Sequence, residues 1–406
     1  MLKGITATYQ QVNLLCQCCF EVDIMNNLII KEDTGHLRTS PTQQLKINEA
    51  FRLLNARDHL LPIKVTRFFQ RKIDEEITAL GHTEGPLHRM VYPTKERLLV
   101  RAPGEVADFV DDRENMPDDA LGNIIQKYRN RMLFMPTSTC ASHCQYCFRQ
   151  DVLSEQHETG KKIFDKAILE LDSYLSTHPD VEEVILSGGD PMTLPTELLK
   201  SIFSTIKSHK QVRSIRIHTK TISYSPQVFK SDEKLKLLAS AGVRLVFHLT
   251  HPYELCDVVR KMIKRIQRAG IPCYNQFPIL RQINDHPEIL RRHLETLDRL
   301  GIRNLSVFIP DPINFSAPFR INLARLINII NELNWRSPSW INSTRFVMDT
   351  KVGKVRREDI THYDTDLGIA IFERDGKTIR YPDFPANLDI PGDIETILWK
   401  DYVSVS

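Results

Sequence analysis

Three cysteines, Cys140, Cys144 and Cys147, stand together in the segment TSTCASHCQYCFRQ, separated by three residues and then by two. Thiolates are soft ligands for iron or zinc, and cysteines clustered in a long chain read as a metal site rather than a disulfide framework. On a four-iron cluster, three thiolates leave one iron without a protein ligand, and that iron can chelate a small molecule through an amino and a carboxylate group. The alternative is a zinc site. His143 is at hand for it, but its place beside Cys144 suits a tetrahedron poorly, and no second cysteine pair of finger spacing follows. A second chemically loaded segment is ILSGGDP, in which Gly188 and Gly189 allow close backbone approach and Asp190 can accept hydrogen bonds from an ammonium group.

The elements that must position these residues are legible from residue 131 onward. Short β-branched or apolar runs (RMLFMPT, VEEVILSG, SIRIHT, VRLVFHLT, IPCYNQFPIL, LSVFIP) alternate with longer amphipathic stretches such as FDKAILELDSYLSTH and HPEILRRHLETLDRLG. Gly242, Gly270 and Gly301 each stand between such a stretch and the next run, as left-handed helix stops do. Six strand-then-helix units imply right-handed crossovers and a parallel sheet curved into a partial (βα)6 barrel, whose site lies at the C-terminal strand ends. The cysteines then sit on the loop after the first strand, and Gly188, Gly189 and Asp190 at the end of the second. Residues 1–120 read as a helical N-terminal extension and linker, 121–340 as the barrel, and 341–406 as a small C-terminal β unit that closes one face. Within that last unit the Asp375-Gly376 step signals a hairpin.

Composition narrows the partners. With 54 Lys and Arg against 51 Asp and Glu in 406 residues, the net charge of +3 is too even for a nucleic-acid footprint. No apolar run approaches a bilayer span and the opening residues do not read as a targeting peptide, so the expected location is cytoplasmic. Of the eight cysteines, Cys16, Cys18 and Cys19, and likewise Cys256 and Cys273, read as packed thiols.

The CASHCQYC spacing, Tyr146 before its last cysteine and SGGDP after a strand resemble the radical S-adenosylmethionine (radical SAM) superfamily. From about residue 85 to about 385 the chain is similar to the lysine 2,3-aminomutase family. The resemblance implies a [4Fe-4S] cluster on Cys140, Cys144 and Cys147, with S-adenosylmethionine cleaved to a 5'-deoxyadenosyl radical. It places Gly188, Gly189, Asp190, His248 and Gln276 against that cofactor. It also implies that Arg149, in CQYCFR, grips the substrate carboxylate, while Asp311 in FIPDPINFSAPFR and Asp349 in FVMDTKVGK bind a distal ammonium. Pyridoxal 5'-phosphate would join Lys354, with Lys127, Tyr128 and Arg131 toward its phosphate.

The activity so implied is that of an isomerase, an aminomutase that moves the α-amino group of a lysine- or arginine-like substrate to the β-carbon. Its implied partners are a reductant such as flavodoxin or ferredoxin and a second copy of the chain in a homo-oligomer. Two departures stand out: DTKVGKVRRED has a shorter approach to its lysine, a competing Lys351 and no following proline, and Lys127 stands where the family has arginine. The alternatives left open are a radical enzyme without pyridoxal phosphate, such as an amino acid epimerase, the related branch that acts on lysine for translation factor modification, and a non-catalytic iron-sulfur or zinc scaffold.

Overall fold

The computed structural model describes residues 38–58, 60–117, 122–155 and 161–401; the CQCC cysteines lie outside them. Nine strands form one sheet in strict chain order: β1 (Ile124–Tyr128), β2 (Arg131–Phe134), β3 (Glu183–Leu186), β4 (Ser214–Thr219), β5 (Val243–Phe247), β6 (Cys273–Pro278), β7 (Arg303–Phe308), β8 (Arg345–Thr350) and β9 (Gly353–Val355). Strands β2 to β8 run parallel, and β1 and β9 add antiparallel edges. The parallel run extends one strand beyond the six read from sequence, because RFVMDT pairs with β7 (Val307 opposite Phe346) instead of joining the C-terminal unit. The physical reason is that helix Leu323–Arg336 supplies another crossover, continuing the strand-helix-strand rhythm.

Strand periodicity divides the labour of the sheet. On β4, Ile215 and Ile217 pack into the apolar layer against the helices, whereas Arg216 and His218 line the interior cavity. The outer helices are amphipathic in the matching sense: Asp257–Arg268 buries Val259, Ile263 and Ile266 on one stripe. Each such side chain contributes about 1.5–3 kcal/mol on leaving water, so the helix layer rather than the interior carries the fold. That leaves the inside of the barrel available for polar groups. The sheet nearly closes: a Cβ added to Gly353 on β9 would lie 3.6 Å from the Tyr128 hydroxyl on β1.

The C-terminal residues form a three-stranded antiparallel sheet, β10 (Ile360–Asp364), β11 (Ile369–Arg374) and β12 (Lys377–Pro382). Its hairpin turns at Asp375 and Gly376, both at positive φ (51° and 71°), as the two-residue loop requires. Ala370, Phe372, Ile379 and Tyr381 from this sheet share a core with Val307 and Met348 of the barrel. Ahead of the barrel, Thr66 caps helix Arg67–Leu80, which ends on left-handed Gly81, and the short helices Pro86–Val91 and Lys95–Leu99 follow. Among the described residues no helix is long and apolar enough to cross a membrane.

Candidate active site

The cysteine loop leaves β2 and is held by main-chain acceptors of the preceding segment. His143 N–H donates to the Lys64 carbonyl (2.9 Å), Gln145 N–H to the Met90 carbonyl (2.8 Å) and the Gln145 side-chain amide to the Val91 carbonyl (3.2 Å). In the other direction, the Lys64 ammonium donates to the Cys140 carbonyl at 2.7 Å. The His143 ring nitrogen is engaged with the Pro62 carbonyl at 2.7 Å, which takes it away from the thiols. All three cysteines are half-buried and line one cavity. Burial pushes the Cys147 thiol up to about 12, and the Cys144 charge beside it adds to the shift. Cys140 is raised by burial first and also by Asp190, Cys147 and Cys144.

Neighbouring thiols of which Cys144 disfavours ionisation of Cys147, and both disfavour that of Cys140, fit a group that brings positive charge, as an iron-sulfur cluster does. Among the described residues no three His, Cys, Asp or Glu side chains, these cysteines included, form a group that could hold a single metal ion.

Gly188 and Gly189 carry the second loop up against the first. Gly188 has φ +91°, and a Cβ there would lie 2.7 Å from the Met135 side chain; at Gly189 it would lie 2.5 Å from the Ser138 backbone. The two loops are tied by Gly189 N–H to the Thr137 carbonyl and Asp190 N–H to the Thr139 carbonyl, both 2.8 Å. The Asp190 side chain is engaged by the protein itself. Its carboxylate already accepts from the Thr219 hydroxyl (2.7 Å), the Lys220 and Thr221 amides (2.8 Å each) and the Met192 amide (3.0 Å). A carboxylate so engaged fastens the end of β4 to the GGD loop.

Sequence reasoning missed Asp112. This connector residue is 3% exposed and lies 2.7 Å from Arg149 Nε and 3.1 Å from Lys127 Nζ, binding two expected ligand-contacting cations with one carboxylate. Burial alone would raise its pKa, but Arg149 and Lys127 outweigh that and hold it below the usual carboxylate range. Arg149 also donates to the Ser187 hydroxyl (3.3 Å) and stacks on Phe148, and Lys127 donates to the Val110 carbonyl. No sequence signal marked Asp112 beyond its place in an acidic stretch.

At the ends of β7 and β8, Asp311 and Asp349 each present a buried Oδ1 with no hydrogen-bond partner among the described residues. Burial, and then the Asp349 carboxylate beside it, push Asp311 well above the usual range. Lys354 Nζ lies 3.2 Å from Asp349 Oδ2 and 4.4 Å from the centre of the Phe308 ring. Nearby, the Arg131 guanidinium stacks 3.7 Å above the Tyr128 ring. The Gln276 amide contacts His248 Nε2 at 3.1 Å and His218 Nδ1 at 3.4 Å. Burial takes His248 down to about 3 and His218 well below its usual range, so both rings are neutral near pH 7. His218 was also missed, although strand periodicity puts it on the same face as Arg216.

Every site residue named from sequence, together with Asp112 and His218, lines a single cavity of about 1210 Å³.

The Radical SAM superfamily model matches residues 134–310. A putative L-lysine 2,3-aminomutase of Aquifex aeolicus (strain VF5) is 25% identical over 321 residues, covering 78% of this chain and 81% of its own. The L-lysine 2,3-aminomutase of Haemophilus influenzae is 28% identical over 276 residues, 68% of this chain and 78% of its own. That of Escherichia coli (strain K12) is 24% identical over 292 residues, with 71% and 81% covered. A solved structure described as native anSMEcpe with bound AdoMet and Kp18Cys peptide matches 53% of this chain and 63% of its own at 12% identity, with a TM-score of 0.39. Residues 134–310, which carry the cysteine loop and most of the barrel, thus match the Radical SAM superfamily, and over 68–78% of its length the chain is similar to proteins named L-lysine 2,3-aminomutase.

Proposed function

We propose that the protein moves the α-amino group of a basic amino acid to its β-carbon. The observation that carries this reading is the pair Asp311 and Asp349, two carboxylates with enclosed, unpartnered oxygens on one cavity wall. Asp349 has its Oδ2 against the Lys354 ammonium, but the Oδ1 atoms of both carboxylates have no donor among the described residues, and a distal ammonium or guanidinium would supply both charge and hydrogen bonds. The Lys354 ammonium lies against Asp349, a position that a substrate side-chain cation would take over. Arg149, from the loop after β2, offers its remaining guanidinium donors to the substrate carboxylate, while Asp112 and Ser187 fix its plane.

Cys140, Cys144 and Cys147 would hold the cluster, which with S-adenosylmethionine supplies a hydrogen-abstracting 5'-deoxyadenosyl radical. Gly188 and Gly189 keep the cofactor loop and the cysteine loop in contact, and the neutral His218, His248 and Gln276 line the wall with hydrogen-bonding groups that carry no charge. Pyridoxal phosphate, the carrier of migrating nitrogen in this reading, would take Lys354 for its carbonyl and Lys127, Tyr128 and Arg131 for its phosphate. Tyr128 stands beside Gly353, the residue before Lys354, which supports reading Tyr128 and Lys354 as parts of one site. Electrons would come from a flavodoxin- or ferredoxin-type reductant.

Reconstituted anaerobically and reduced, the protein should convert lysine or arginine to the β-amino acid, read by mass spectrometry. Failure with every basic amino acid removes the assignment. The second reading is a radical enzyme without pyridoxal phosphate, such as an epimerase. It is favoured by the partners that Lys354 and Lys127 already have in Asp349, Asp112 and the Val110 carbonyl. An absorbance scan for lysine-bound pyridoxal phosphate in the purified protein separates the two.

A further inference from the structure

Tyr224 lies in the turn after β4 and is 2% exposed, with its hydroxyl 3.1 Å from the Cys144 sulfur. Its position is fixed from several sides. The ring meets Phe69 edge to face with centroids 4.8 Å apart, the Lys220 ammonium lies 5.3 Å from its centre, and its carbonyl accepts from the Thr66 hydroxyl at 2.5 Å. Thr66 is the residue that caps helix Arg67–Leu80, so the phenol is held between that helix and the barrel. A phenol is protonated at neutral pH on its ordinary pKa alone, and a cysteine sulfur bound to iron carries no proton. The hydroxyl can therefore only donate, and the sulfur can only accept. Tyr146, in the cysteine loop itself, also lies against Cys144 and has a second partner in the Thr250 hydroxyl at 3.3 Å.

We propose that Tyr224 donates a hydrogen bond to the cluster-bound sulfur of Cys144 and so raises the reduction potential of the cluster. The proposal rests on the cluster assignment and is independent of which amino acid the enzyme uses. Hydrogen bonds to the sulfurs are one of the protein's levers on the potential of such clusters, because one added electron places more negative charge on those sulfurs. A donor at 3.1 Å then stabilises the reduced form more than the oxidised one. The step itself is the transfer of one electron from an external donor to the cluster; no bond forms or breaks, and the phenol keeps its proton. Tyr224 acts on the cluster through Cys144 and is a positioning residue.

The test is an anaerobic redox titration of the reconstituted holoprotein with dithionite, followed by electron paramagnetic resonance without S-adenosylmethionine. Tyr224→Phe retains the ring packed on Phe69 and Lys220 and should hold the same iron per chain. Its midpoint should move to more negative potential, with a reduced-to-oxidised ratio roughly tenfold smaller at a fixed potential, about 59 mV for a one-electron couple. Equal midpoints overturn the proposal. So does loss of iron from a folded Tyr224→Phe, which would make the residue structural to the cluster. Should Tyr224→Phe not fold, a ring-fluorinated tyrosine placed at 224 is a stronger donor in nearly the same shape and should shift the midpoint upward; no shift overturns the proposal. Absence of iron from the unaltered protein sinks the cluster assignment, whereas iron present with matching potentials sinks only the role of Tyr224.

Discussion

Replacing Asp311 with asparagine takes a charge away from a place where burial and the neighbouring Asp349 already disfavour it. The two consequences have opposite signs. In the ligand-free protein the unpartnered Oδ1 of a charged side chain is a liability of about 1–3 kcal/mol, so Asp311→Asn should stabilise the apo form at pH 7 and raise Tm by a few degrees. In the proposed function the same change would remove one charge-assisted hydrogen bond to the substrate's distal cation. At about 1.5–3 kcal/mol, that is roughly a ten- to hundredfold rise in KM for lysine. The pH dependence has a definite sign. Because the folded pKa of Asp311 is raised, the folded state keeps a proton that the unfolded state releases, and stability falls as pH rises from the ordinary carboxylate range up to the folded pKa. Asparagine should flatten that slope. Differential scanning fluorimetry between about pH 4 and 8 and steady-state kinetics with lysine read both arms. A variant that loses stability, or one that keeps the lysine KM, refutes the reasoning that Asp311 awaits a substrate cation.

Asp112→Ala leaves Arg149 and Lys127 without their shared carboxylate; by the cost of breaking a buried ion pair, urea denaturation should register a loss of roughly 3–5 kcal/mol. Gly189→Ala drives a methyl group to within 2.5 Å of the Ser138 backbone, so the cysteine loop must shift, and iron and sulfide analysis should find substoichiometric cluster. Glu76 is fully buried, and burial raises it from 4.5 to about 7 against hydrogen bonds from the Leu87 and His88 amides. The folded state therefore holds its proton longer, and stability should decline by about 3 kcal/mol as pH rises from 4.5 to about 7 and then level off. Glu76→Gln should remove most of that slope in denaturation curves taken across the same interval.

The cysteine loop, the GGD turn and six of the seven parallel strands were legible because each has a local signature: fixed spacing, paired glycines, or a change of hydrophobic period. The seventh, RFVMDT, has the same local look, but its sheet partner depends on where helix Leu323–Arg336 delivers it, and periodicity does not encode that. Asp112 escaped for a related reason. It meets Arg149 across 37 residues, and nothing in its neighbours distinguishes it from the other acids of the connector. That the Asp190 carboxylate ties the GGD loop to the end of β4 is visible only in the fold, which brings Thr219, Lys220, Thr221 and Met192 to it. His218 and Tyr224 carry no motif and become visible only through what they touch.

The grip on the cysteine loop comes largely from the carbonyl oxygens of Pro62, Lys64, Met90 and Val91. Every amino acid presents that same oxygen, so evolution can rewrite most side chains along this stretch while the loop stays in place. Two homologues can therefore look unrelated here and still grip their iron-binding loop alike. Kinship in this part of the molecule is better judged by the path of the backbone than by matched letters.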